Sequence, residues 1–493
     1  MNRKALTPLL PFILFIFSSN TFFAQAAMPK NYPSLLWEIS GNGLKKSSYL
    51  YGTMHVSDKV AFNLTDSFFV AIKSCDAVAL ELDMDGWMDD IMEMRKANTY
   101  KNTTGFVYRP SGFYKGALAL DIPTKKDLKD LLQFTPKISN NLLYRNNRYQ
   151  SDYEEDNYLD VFIFQSGKKL NKKIFGLENY KITEEFSNRA SIESSEQIKD
   201  EKIRDDEEEQ TRLRLKQLTN DKTYSEVLED AYRKGDLDML DSLNKLSYDP
   251  FFRKYMLIER NKIMAIRMDS IMKLMPLFTG VGAAHLPGEE GVIELLRKMG
   301  YTLKPIVSAK YDTKTKTTID ETRFPVQFKK EYSADSSFSV SLPGEMYEFY
   351  DKGTYKYYLT NDMSNGSYYC IQRMNHYGFI TNEKPDYILK KIDSLIFENI
   401  PGKLLNKKEI KNASGYPGIE ITNKTRRGDS QRYQIFISPN EIFIFKMSGS
   451  QEYVEKGTEA ETFFSSITFH ERPAVMNNFQ SSLGYSVDMP KNK

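Results

Sequence analysis

The stretch that most constrains the fold is "PLFTGVGAAHLPGEEGVIELLRKMGYTLKPIV", residues 276–307. Leu277 to Gly282 is a short apolar run, of the kind that forms a strand buried on both faces. Gly288-Glu289-Glu290 then opens a helix along which Val292, Leu295, Leu296 and Met299 recur at helical spacing. Gly300 stops that helix, and "YTLKPIV" returns as a strand. Strand, helix and strand in about thirty residues form a βαβ-type crossover, which predicts an α/β fold.

Within this unit His285 stands three residues after Gly282, just past the strand end. The same arrangement occurs in "SYLYGTMHVSD", residues 48–58, where Gly52 precedes His55. That second strand closes a hairpin predicted from "LLWEISGNGLKKSSYLYGTMHV", with Gly41-Asn42-Gly43 as its turn. The chain has four histidines, so half of them share one placement. Glycine lets a backbone turn sharply and approach a neighbour closely. Strand ends are also where α/β folds bind ligands. An isolated histidine there is more often a hydrogen-bonded structural residue. The matched pair brings a ligand-binding role level with that reading.

Two neutral imidazoles converging with a carboxylate make a ligand set for a divalent metal. Glu81, at the end of "AVALELD", is the best-placed carboxylate, because it too ends an apolar strand. Glu178, in "FGLEN", follows a third short strand and is the second candidate. Such a site lowers the pKa of water and hydrolyses an amide or ester, with the spare carboxylate as general base. Other routes are less well supplied. His470-Glu471 begins like HExxH, but Ala474 occupies the last position. Cys75, in "IKSCDAVAL", reads as the approach to a buried strand rather than a nucleophile.

The flanking sequence sets the organisation. Residues 1–26 read as a signal peptide, with basic Arg3 and Lys4, a short apolar core, and Ala24-Gln25-Ala26 as cleavage site. No later stretch is apolar enough to span a membrane, so a periplasmic or secreted protein is expected. The net charge of +2 gives no reason to expect nucleic acid as a partner. Residues 30–310 form the first domain, and 311–334, polar and rich in Thr and Lys, read as a linker. From 335 to 472 short alternating strands surround one amphipathic helix, "PDYILKKIDSLIFENI", predicting an α+β domain with an antiparallel sheet. The tail, 473–493, contains "YSVDMP", an echo of "FSVSLP" at 338–343 that suggests a partial repeat. Cys75 and Cys370 are the only cysteines, and two separate buried thiols are the expectation.

Taken in order, "YLYGTMHVSD", "AVALELD", "FGLEN", "ERNKIMA" and "GVGAAHLPGEEGVIELLRKMGYTLKPI" resemble the TraB/GumN family, which includes the animal Tiki proteins. The resemblance covers about residues 35–307. It matches the family's two GxxH motifs to Gly52–His55 and Gly282–His285, its acidic residues to Glu81 and Glu178, and its Arg-Asn helix to Arg260 and Asn261. Asn179 departs from the Thr usual after the family's Gly-Leu-Glu. The resemblance implies an erythromycin-esterase/ChaN-like α/β core with a mixed sheet and many helices. It also implies a metal-dependent hydrolase, with His55, Glu81 and His285 holding manganese, cobalt, zinc or iron, and with peptides or envelope proteins as substrates. Glu178 would support the metal or act as base. Arg260 would polarise a substrate carbonyl or bind a carboxylate end; a buried salt bridge to one of the glutamates is the equal alternative. A non-catalytic protein that sequesters a peptide, haem or iron species is the other class the resemblance allows. The second domain is similar to PsbP-like modules, which implies a unit that binds a protein partner or packs on the first domain.

Overall fold

The computed structural model describes residues 30–54, 61–62, 64–102, 122–142, 158–197, 201–220, 222–308, 310–351, 355–426, 428–470, 476–480 and 484–490. Of the expected features, the signal peptide and His55 lie outside these residues.

The first sheet contains β1 (Leu36–Gly41), β2 (Ser48–Thr53), β3 (Ala77–Leu80), β4 (Lys173–Gly176), β5 (Leu277–Gly282) and β6 (Tyr301–Ile306), in the order β4-β3-β5-β2-β1-β6. β4, β3, β5 and β2 are mutually parallel, and β1 pairs antiparallel with both β2 and β6. The sheet is therefore mixed, with β1 alone reversed among the described strands. The β1–β2 hairpin turns through Gly41, Asn42 and Gly43, all with positive φ. β6 runs parallel to β5 with two strands between them, so the crossover passes over β2 and β1. Its helix begins at Val292, later than the sequence predicts, because Gly288 turns at φ +92 and Gly291 is the N-cap. Any Cβ at Gly291 would lie 2.3 Å from the Pro287 carbonyl oxygen.

β3 and β5 are buried along their whole length, and β5 sits at the centre of the parallel part. The helix Leu159–Lys169 packs against β5 closely: a Cβ on Gly280 would come within 3.0 Å of Ile163. The sequence "RKYMLIERNKIMAIRMDSIMKL" is not one uniform helix. Lys254–Glu259 is a π-helical turn, followed by an α-helix over Arg260–Met272. The wider turn lets the consecutive residues Arg260 and Asn261 both point inward, at 7% and 3% exposure.

In the second half, a seven-stranded sheet among the described residues runs Lys403–Lys411, Pro417–Lys424, Ser430–Ile437, Glu441–Gly449, Ser367–Asn375, Tyr355–Asp362, Tyr347–Asp351. Every neighbouring pair is antiparallel, and the helix Pro385–Asn399 packs on one face. The segment after β6 is more ordered in pattern than a linker. Asp312 caps a helix over Thr313–Glu321, whose Ile319 is buried in the first core. The tail strands Met476–Gln480 and Ser486–Pro490 pair with each other.

The two sheets share an apolar core: Phe349, Leu359, Met363, Tyr368 and Cys370 join the cluster built around β3 and β5. The helix Lys125–Gln133 also crosses over. Thr124 and Asp127 form a capping box at its start, and Leu128, Leu131 and Leu132 pack with Ile388, Ile392 and Ile396 of the later helix. Cys75 and Cys370 are unpaired and buried, which pushes each thiol up to about 12. No helix among the described residues is long and apolar enough to cross a membrane.

Candidate active site

The described site residues meet at the carboxyl ends of the parallel strands. β2 and β5 are neighbours, with Gly52 opposite Val281 and Thr53 opposite Gly282, so Gly52-Thr53 and Gly282 end their strands side by side. Gly52 has to be small, since a Cβ there would sit 3.1 Å from the Ala283 Cβ. On the other side of β5, β3 ends at Leu80 and delivers Glu81. Gly176 lets the end of β4 close on the turn that follows β3, because a Cβ would meet the Asp83 backbone nitrogen at 2.6 Å. That approach allows the Glu178 amide to donate to the Glu81 carbonyl at 2.8 Å.

Arg260 ties the two carboxylates together. Its Nε donates to both Glu178 oxygens at 3.0 Å, and its Nη2 reaches Glu178 Oε2 at 2.6 Å and Glu81 Oε2 at 2.7 Å. Burial works against the guanidinium charge, but its bonds to Glu178 and the two carboxylate charges outweigh this and raise its pKa. Burial likewise pushes the Glu178 carboxyl up, opposed by Arg260 and reinforced by the charge of Glu81. Glu81 Oε1 accepts the Gly282 amide at 2.7 Å, so both of its oxygens are oriented. Glu178 is thus engaged by a buried ion pair, and the Arg260 guanidinium bridges both candidate glutamates.

His285 is set from the opposite side. Its Nδ1 lies 2.7 Å from Asn261 Oδ1, while Asn261 Nδ2 donates to the Glu290 carbonyl at 2.8 Å. The second bond fixes which end of the amide is the oxygen, and that oxygen requires a proton on Nδ1. In the neutral ring Nε2 is then the lone-pair nitrogen. Nε2 stands 3.7 Å from Glu81 Oε1. Among the described residues, two carboxylates face one guanidinium there. A lone-pair nitrogen beside a carboxylate oxygen suits a divalent cation. Among the described residues, no group of three or more His, Cys, Asp or Glu forms such a site by itself.

Four of the five sequence-derived candidates, Glu81, Glu178, Arg260 and His285, are therefore brought together, and His55 is the one outside the described residues. Asn261 gains a specific task, holding the imidazole tautomer, that its position in "ERNKIMA" did not reveal. Asn179 also has an explanation: its side chain accepts the Lys181 amide at 2.9 Å and caps the helix Tyr180–Gln197. Threonine would do the same. Asp160 is a buried carboxylate inside the otherwise apolar "LDVFIF", and it accepts the Thr53 hydroxyl at 2.6 Å.

The molecule is thus a mixed α/β protein with a buried His-Glu-Arg cluster at its strand ends, joined to an antiparallel α+β half. It belongs to the TraB/PrgY/gumN family, whose sequence pattern matches residues 35–305. None of the curated proteins matches the chain. Among solved structures, cyanobacterial PsbP (CyanoP) from Synechocystis sp. PCC 6803 is similar at 9% identity, covering 30% of this chain and 94% of that one, with a TM-score of 0.22. A protein from Bacteroides thetaiotaomicron VPI-5482 is similar at 17% identity, covering 32% of this chain and 55% of that one, with a TM-score of 0.18.

Proposed function

We propose that this chain is an exported metal-dependent hydrolase that cleaves peptides or proteins of the cell envelope. His55, Glu81 and His285 would hold the ion, and its task when bound is to act as a Lewis acid. The observation that carries the reading is the pairing of His285 and Glu81, 3.7 Å apart, with Asn261 keeping the imidazole proton on the far nitrogen. Glu178 and Arg260 support that pair. Glu178 compensates the guanidinium, and Arg260 in turn fixes Glu81 Oε2, leaving the Gly282 amide to fix Oε1. When a substrate carbonyl enters, Arg260 is the adjacent cation able to stabilise developing negative charge. The second half is assigned to partner binding or to buttressing the first.

The test is metal content followed by turnover. Purified mature protein, exposed to manganese, cobalt, zinc or iron and desalted, is expected to retain about one equivalent. His285→Ala and Glu81→Gln proteins that remain folded should lose it. A peptide library should then yield fragments with the loaded wild type and none after chelation. Metal-dependent peptide retention without fragments would replace hydrolysis with sequestration.

A further inference from the structure

We infer that Asp160 and Tyr232 are positioning residues for the Glu81–His285 pair, acting through the end of β2. Asp160 lies in the first turn of the helix Leu159–Lys169, a run of residues buried from Leu159 through Gly167, and its Oδ1 accepts the Thr53 hydroxyl at 2.6 Å. Tyr232, on the helix Tyr224–Arg233, donates its hydroxyl to the Gly52 carbonyl at 3.0 Å. Both bonds are buried, and both fall on the two residues that end β2.

From there each residue leads to the site by one further contact. Thr53 lies opposite Gly282 in the sheet, and the Gly282 amide holds Glu81 Oε1 at 2.7 Å. Gly52 lies against Ala283, the first residue of the short turn that ends in His285. A carboxylate at the start of an apolar helix is expensive to desolvate, and Leu or Met would fill that space more readily. What the Asp160–Thr53 and Tyr232–Gly52 bonds provide instead is direction. They fix where β2 stops, and so how Gly282 and Ala283 are aligned.

This inference rests on the reading of the Glu81–His285 pair as the working site, and the experiment separates the two. The full mature chain would be labelled with nitrogen-15 histidine; it has four histidines, so the ring signals are few. His285→Gln assigns the His285 signal. Thr53→Val deletes the bond to Asp160, and Tyr232→Phe deletes the hydroxyl's bonds to Gly52 and Tyr51, each with little change in shape, while Thr53→Ser keeps the donor. The His285 ring signal is expected to move in Tyr232→Phe and Thr53→Val and to return towards wild type in Thr53→Ser, with His376 and His470 unchanged. Manganese retention should fall roughly tenfold or more in the first two variants. An unmoved His285 signal in folded Tyr232→Phe and Thr53→Val proteins overturns the inference. If wild type itself retains no manganese, the metal reading fails, and the His285 signal alone decides the positioning role.

Discussion

Two buried cations, one in each half of the molecule, are held in opposite ways. Arg260 is surrounded by carboxylates that arrive from separate segments, Glu81 after β3 and Glu178 after β4. Lys446, fully buried in the central part of the second sheet, makes no ion pair among the described residues. Its ammonium donates to the Phe134 carbonyl at 3.3 Å and lies 5.0 Å from the centre of the Tyr433 ring. Burial pushes the Lys446 amine down to about 8, whereas Arg260 is held charged. A perturbed titration therefore marks both places, but only one gathers acids, an amide and an imidazole at strand ends. Convergence of unlike groups from distant segments, rather than burial of one charge, is what points to chemistry.

The comparison breaks hardest at Arg260. Arg260→Met would leave Glu81 and Glu178 together in a buried place without their counter-charge. Breaking a buried pair in this way typically costs about 3–5 kcal/mol, and equilibrium unfolding in urea at pH 7 would measure it. The deficit should shrink in acid, where both carboxyls become protonated, and Glu178→Gln in the same chain should recover part of it. A loss below about 1 kcal/mol would mean that the two glutamates do not depend on Arg260.

Lys446→Met should act in the reverse direction. In the folded protein the amine titrates at about 8 rather than at its ordinary 10.5, so the folded state binds fewer protons between those values. Wild-type stability then carries a deficit below about pH 8 that is relieved as pH rises towards 10.5. Methionine removes the charge while keeping most of the volume. The expected gain at pH 7 is about 1–3 kcal/mol, after allowing for the lost carbonyl bond and ring contacts. The difference between variant and wild type should narrow at pH 10. A destabilised variant with no pH dependence would show that the bond to Phe134, which joins the early helix to the second sheet, outweighs the charge.

How much of this was legible beforehand follows the same division. The parallel core was readable because β3 and β5 are unbroken apolar runs and because Gly282 and Gly52 mark where the chain must turn. Glu81 and His285 were readable for the same reason, Glu81 directly after such a run and His285 three residues past the end of one. The π turn was not, since "RKYMLIERNKIMAIRM" carries ordinary helical spacing and only packing selects the wider turn. With it went the knowledge that Asn261, the next residue after Arg260, is buried as well. Nor does any local pattern announce that the helix Lys125–Gln133 belongs with the later sheet: its stripe of leucines specifies an apolar partner but not which one.

The smallest expected effect lies beside the site and limits what the site demands. Asn179 follows Glu178 directly, yet its side chain is spent on the Lys181 amide at the start of a helix. Asn179→Thr should therefore change stability by less than about 0.5 kcal/mol, because both side chains cap well. Manganese retention should be unchanged as well. Asn179→Ala, which has no oxygen to offer, should cost about 1 kcal/mol in urea unfolding and leave the ion pairs of Arg260 intact. If Asn179→Thr instead lowered metal retention while unfolding stayed as in wild type, the asparagine would be acting on the charged cluster and not only on the helix. The line between the residues that gather charge and those that merely shape the chain would then have to be drawn one position further along.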